Sequence, residues 1–205
     1  MAQGLVTPQL MLILDRQVAG SDAEWLRRLV TLYPLLPDHG RVWLQLRCKQ
    51  VAGLAQRQLM EQARVLVSGR AVPVVVNGGA AGFSGAHWPQ AQIPAVATME
   101  SGPRSAAVHD VASAGAAAAA GAHVVLFAPV FSPRSKQAKP KGLPALRYLC
   151  ARSAVPVLAL GGVTPERVRP CIQAGASGVA VLSPVSHPDS DPVGTLAAYL
   201  SVLER

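Results

Sequence analysis

The chain has 205 residues, of which half are hydrophobic, 15% are charged and only 4% are aromatic. Such a chain buries a large core built from Val, Leu and Ala, which excludes an intrinsically disordered protein. The net charge is +8, but the bases are scattered, with one concentration from Arg134 to Lys141, so the pattern suits small anionic ligands rather than an aromatic-interleaved nucleic-acid stripe.

Short apolar strands alternate with helical stretches along the chain, the pattern of a parallel α/β architecture. Residues 10–15 (LMLILD) read as the first strand. Ser21 or Asp22 can cap the following helix, with Leu26, Leu29, Val30 and Tyr33 on its inner face. Residues 42–47 (VWLQLR) form the second strand, a helix covers 54–67, and residues 72–77 (VPVVVN) form the third strand. Residues 78–104 hold five Gly and three Pro and show no helical period, so an irregular crossover with a fourth strand near 86–88 is expected. The fifth strand is placed at 106–109 and precedes an Ala-rich helix to Ala120. The sixth, seventh and eighth strands are placed at 124–129, 156–161 and 179–183, and a closing helix spans 191–203.

Eight strands is the count of a (β/α)8 barrel, and 205 residues require one with trimmed loops. Internal echoes agree. AGAHVVLFAPV (120–130) resembles AGASGVAVLSPV (174–185), and VPVVVNGG (72–79) resembles VPVLALGG (155–162). The competing doubly wound sheet predicts a Gly-rich turn after the first strand, where this chain has Asp15-Arg16-Gln17. The expectation is a single TIM-barrel domain over 1–205, of the phosphate-binding type.

A barrel of this kind places its active site at the C-terminal strand ends. Strand two ends in QLRCK (45–49). Because side chains alternate along a strand, Leu44, Leu46 and Cys48 share the helix-facing side, and Gln45, Arg47 and Lys49 point into the mouth. Two inward cations call for an anionic partner. Asn77 ends strand three and can bond a heterocycle or cap a turn. His109 ends strand five and is the candidate general acid–base group, while Asp110 can cap the next helix and His123 falls at a strand start. The cationic loop after strand six supplies Lys136 as the lysine nearest the strand end. Gly161 and Gly162 after strand seven, and Leu182 and Ser183 at the end of strand eight, lie where such barrels cradle phosphate. Pro165 suits the first turn of the next helix.

These segments, with APVFSPRSK (128–136), KGLPAL (141–146) and LALGGVTPERVRPCIQAGASGVAVLS (158–183), resemble the thiamine phosphate synthase/TenI family. Two activities are implied by that resemblance. A synthase couples a pyrimidine pyrophosphate to a thiazole phosphate and needs Mg2+. Its pattern places an Asp after the strand-three Asn and another just past strand four, where this chain has Gly78 and Gln92. It also has a Thr at the place of Pro133 and a Ser at the place of Ala107. Because Mg2+ prefers carboxylates, the chain looks more similar to the TenI-like thiazole tautomerases. In that case His109 would move a proton in a thiazole carboxylate phosphate, with no metal or other cofactor. Gly161, Gly162, Ser183 and Lys136 would hold the phosphate, and Arg47 and Lys49 the remaining charge. Synthase activity, for which Glu100 is the nearby acid, and non-catalytic binding of thiazole or thiamine phosphate are the alternatives.

Cys48, Cys150 and Cys171 are odd in number and widely spaced, which suggests neither a disulfide framework nor a zinc site. Cys48 reads as a structural thiol despite its cationic neighbours. No signal-like segment or membrane-length apolar run is visible. The expected setting is the cytoplasm, with a small phosphorylated ligand, no nucleic acid and no membrane; self-association is left open.

Overall fold

The computed structural model describes residues 5–49, 51–95, 102–132 and 139–204. Its eight strands are β1 (Leu10–Asp15), β2 (Val42–Arg47), β3 (Val74–Asn77), β4 (Ala86–Trp88), β5 (Arg104–Val108), β6 (Val124–Phe127), β7 (Val157–Leu160) and β8 (Gly178–Val181). All pair in parallel with their chain neighbours, and β8 returns to β1, closing a barrel. The expected (β/α)8 architecture is therefore the observed one.

Alternation along each strand divides the apolar residues between two cores. Met11, Ile13, Trp43, Val75, Val124, Leu126, Leu158 and Ala180 fill the barrel interior. Leu10, Leu12, Leu14, Leu44, Leu46, Val125 and Val179 point outward and pack with the helices. With few aromatics in the chain, Trp43 supplies the one large ring of the interior core, and its indole N–H is satisfied by the Gly40 carbonyl at 3.1 Å.

The helices are α1 (Arg16–Ala19), α2 (Asp22–Leu32), α3 (Gly53–Leu66), α4 (Val111–Ala119), α5 (Gly142–Cys150), α6 (Pro165–Gln173), α7 (Ser183–Ser186) and α8 (Pro192–Leu203). Ser21 caps α2 by accepting from the Glu24 N–H. The inner face of α2 is formed by Trp25, Arg28, Leu29 and Leu32, with Tyr33 just beyond. Val30 was expected on this face and is instead 51% exposed. The apolar stripe follows the Trp25–Leu29–Leu32 spacing, which turns Val30 toward solvent. Several strands end earlier than expected, because their last residues leave the ladder to build the mouth: His109 lies just past β5, Pro129 past β6, Gly161 past β7 and Ser183 opens α7.

The sequence break after Asn77 is the most compressed part of the fold. Residues 78–85 join β3 to β4 with no helix, although parallel crossovers ordinarily need about a dozen residues or more. Gly85 makes this possible. A Cβ there would sit 2.0 Å from the Val74 carbonyl oxygen, so only glycine lets the connection lie flat against β3. Between β4 and β5 the described residues include a 3-10 turn at Gln90–Gln92.

Candidate active site

The mouth is built from inward-facing residues at the strand ends. Asp15 on β1 pairs in register with Arg47 on β2, and the Arg47 guanidinium donates to the Asp15 carboxylate. Asp15 also accepts from the Gln17 N–H, capping α1. This acid is thus already engaged by a cation and a helix cap. Gln45, two residues before Arg47, is 1% exposed, and its amide oxygen has no hydrogen-bond partner among the described residues. A buried polar atom without a partner is costly unless a ligand or water supplies the missing contact. The alternation argument thus holds: Leu44, Leu46 and Cys48 pack with the helices, while Gln45 and Arg47 line the barrel. Lys49 follows at the exposed rim. Cys48 is buried, and desolvation pushes its thiol up to about 12, the behaviour of an inert structural cysteine.

Asn77 ends β3 and pairs in register with His87 on β4, which pairs in turn with Ser105 on β5. His87 is 5% exposed, and its Nδ1 lies 2.8 Å from Ser105 Oγ. Burial first, then the charges of Arg47 and Lys49, push the imidazole down to about 3, so it is neutral at physiological pH. Asn77, His87 and Ser105 lie level across β3 to β5, and inward-facing Gln45 on β2 lies level with Val75, one inward position deeper, so polar groups form the floor on this side of the barrel. Neither His87 nor Ser105 was singled out in the sequence. The available signal was strand alternation through Ala86-His87-Trp88, which turns one histidine inward between two outward apolar residues.

His109 sits at the mouth and is solvent-exposed. Its Nδ1 is 3.2 Å from the Ala128 carbonyl oxygen. A carbonyl can only accept, so Nδ1 is the donor of this bond, which leaves Nε2 on the other side of the ring for a ligand. Lys141 donates from Nζ to the His109 carbonyl at 2.5 Å and lies 4.9 Å above the Phe127 ring. It therefore ties the entry to α5 onto the β5 end. Asp110 caps α4 with a reciprocal capping box to Ser113, as expected. His123 lies outside the mouth, and its Nδ1 accepts from the Arg104 N–H. Lys136 and Glu100 lie outside the described residues.

Gly161 and Gly162 have φ of +96° and +60°. Added Cβ atoms would meet Pro129 Cβ at 2.7 Å and the Ser132 carbonyl oxygen at 2.5 Å. Their missing side chains thus let the β7 loop pack on the β6 loop. What they can offer an anion is their peptide N–H groups. Leu182 precedes α7 and packs on the interior core, and Ser183 is the first residue of α7. This segment is held from beneath. Ser186 Oγ donates to the Ile13 carbonyl at 2.7 Å and accepts from the Asp15 N–H at 2.9 Å. Arg28, fully buried, donates to the Val185, Pro188 and Ser190 carbonyls, to Ser190 Oγ and to Glu24.

A family profile described as thiamine monophosphate synthase matches residues 10–185. The thiamine-phosphate synthase of Xanthomonas campestris pv. campestris is 32% identical over 176 residues, covering 81% of this chain and 84% of that protein. That of Xylella fastidiosa is 30% identical over 197 residues, covering 90% and 82%. Among solved structures, thiamine phosphate pyrophosphorylase from Pyrococcus furiosus superimposes with a TM-score of 0.72 at 20% identity, covering 96% of this chain and 95% of that one. The (S)-3-O-geranylgeranylglyceryl phosphate synthase of Thermoplasma acidophilum, in complex with sn-glycerol-1-phosphate, gives 0.64 at 12% identity, covering 96% and 93%.

Proposed function

The chain belongs to the thiamine monophosphate synthase family, and we propose that it is a transferase that couples a pyrimidine pyrophosphate to a thiazole phosphate. The observation that carries this reading is the unpartnered, buried amide oxygen of Gln45. It sits in a polar floor on the β2–β5 side, whereas the loops expected to cradle phosphate follow β7 and β8. A site with both parts suits two ligands, a heteroaromatic ring with an N–H edge on the floor and a phosphate at the cradle. The relatives named thiamine-phosphate synthase support the same reading.

In the coupling, the carbon–oxygen bond to pyrophosphate breaks and its electron pair leaves with the anion. The thiazole nitrogen lone pair forms the new carbon–nitrogen bond. The products are thiamine phosphate and pyrophosphate, and no proton transfer is required. The chain's contribution is to hold the two partners in line and to stabilise negative charge on the departing anion. Gln45 orients the ring, His87 and Ser105 keep the floor closed to water, and Arg47 and Lys49 face the charge.

The Mg2+ of the family does not fit the residues present. Gly78 and the Gln92 amide occupy the positions where the family pattern has carboxylates, and among the described residues no group of three His, Cys, Asp or Glu could hold a metal ion. No step is therefore routed through one. The test of the coupling is direct: the purified protein incubated with both substrates should release thiamine phosphate and pyrophosphate in equal amounts, and Gln45→Ala should raise the KM for the pyrimidine.

One observation favours a second reading, the thiazole tautomerase. The open Nε2 of His109 is set to shuttle a proton, which the coupling does not need. This reading calls for aromatisation of a thiazole carboxylate phosphate by the wild type and its loss in His109→Ala.

A further inference from the structure

Asn77, His87, Ser105 and Val124 follow one another in register across β3, β4, β5 and β6, and Val124 belongs to the apolar interior core. Ser105 is therefore the last polar member of this row. Alternation turns it inward, since Ala106 and Val108 beside it pack with the helices, and it is fully buried. Its Oγ lies 2.8 Å from His87 Nδ1, the only hydrogen bond of either side chain among the described residues.

The direction of that bond follows from what each group can leave unmade. His87 is neutral, because burial first and the charges of Arg47 and Lys49 next hold its imidazole down to about 3. One ring nitrogen then carries a proton and the other a lone pair. With the proton on Nδ1, the ring would donate to Ser105 Oγ, and the serine hydroxyl hydrogen would be left in the interior with no acceptor. A buried donor in that position costs the full loss of its solvation. With Ser105 donating, its only hydrogen is used, Nδ1 accepts and the proton lies on Nε2. This second arrangement strands no donor at the contact.

We infer that Ser105 is a positioning residue: its hydroxyl fixes His87 as the Nε2–H tautomer, so that the floor offers the bound ring a hydrogen-bond donor there, complementing the unpartnered acceptor Gln45 Oε1. That the bound ring is the pyrimidine rests on the coupling reading; the tautomer does not.

The tautomer is read on the full chain, labelled with 15N, by two-bond 1H–15N correlation of the histidine rings at neutral pH. His87→Gln identifies the His87 signals among the five histidines. The expected wild-type pattern has a bare Nδ1 and a protonated Nε2. Ser105→Ala loses that preference, its ring nitrogens averaging between the two tautomers or exchanging roles. A protonated Nδ1 in the wild type overturns the inference without any variant, as does an Nε2–H tautomer that persists in Ser105→Ala. In the coupling assay Ser105→Ala should raise the KM for the pyrimidine pyrophosphate about tenfold, the size of one hydrogen bond, with kcat nearly unchanged; an unchanged KM overturns the positioning role. The spectra need no substrate, so failure of the coupling leaves them standing and the two ideas fail separately.

Discussion

His87 and Ser105 form a closed pair inside the barrel, with Nδ1 2.8 Å from Oγ and both side chains removed from water. The imidazole is pushed from 6.5 down to about 3, chiefly by burial. The unfolded chain therefore takes up a proton near pH 6.5 that the folded chain refuses. The stabilisation from keeping this ring neutral is full above pH 6.5 and is lost as pH falls toward 3. Urea unfolding midpoints should drop across that window, and the drop should be smaller in His87→Gln. Parallel pH profiles for the two proteins would contradict this account of the floor.

Arg28 is a buried cation whose donors satisfy the carbonyls of the β8–α8 connection. Arg28→Met removes the cation and strands those oxygens; Glu24, held down to about 2 by Arg27 first and by Arg28, loses one of its two arginine partners but keeps Arg27. The expected loss is about 2–4 kcal/mol in urea unfolding. Arg28→Lys should recover little of it, because one ammonium cannot span a planar fork of acceptors. Phosphate affinity should fall in both variants as α7 loosens.

Gly162 and Gly53 offer a matched comparison. Their φ values are +60° and +63°, but a Cβ at Gly162 meets the Ser132 carbonyl oxygen at 2.5 Å, while at Gly53 it meets nothing within 4 Å. Gly53→Ala should cost about 1 kcal/mol, the price of a left-handed alanine. Gly162→Ala should cost about 2 kcal/mol or more and should weaken phosphate binding, because the β6 and β7 loops are forced apart. Thermal denaturation and a phosphate titration of both variants check this.

His109→Ala separates the two chemistries. The coupling needs no proton shuttle, so its kcat should stay within about tenfold of wild type. A tautomerisation should lose about 10²–10⁴-fold, the usual scale of a general acid–base group. Rates of thiamine phosphate formation and thiazole aromatisation, measured on the same two proteins, decide between them.

The barrel was legible because its determinants are local. Strand alternation, caps at Ser21 and Asp110 and the proline at the start of α6 each act within a few residues. The same alternation placed Gln45 and Arg47 inside the barrel. What escaped the sequence depends on neighbours across the sheet. The engagement of Asp15 by Arg47 requires the β1–β2 register, and the His87–Ser105 pair requires the β4–β5 register. The packing of Gly161 and Gly162 on the β6 loop escaped it for the same reason: what crowds them lies roughly thirty residues earlier in the chain. The sequence comparison of the two activities favoured the tautomerase on the missing carboxylates, on Pro133 in place of a Thr, and on the strand-five His109. The unpartnered Gln45 amide, visible only in the fold, shifts the weight to the coupling reading.

The most direct measurement is formation of thiamine phosphate by the purified chain from a pyrimidine pyrophosphate and a thiazole phosphate, in EDTA and in Mg2+. Product in both buffers, with one pyrophosphate released per coupling, is the predicted result. No product in either buffer, alongside aromatisation of the thiazole carboxylate phosphate by the same preparation, would contradict the coupling and make the tautomerase the protein's activity.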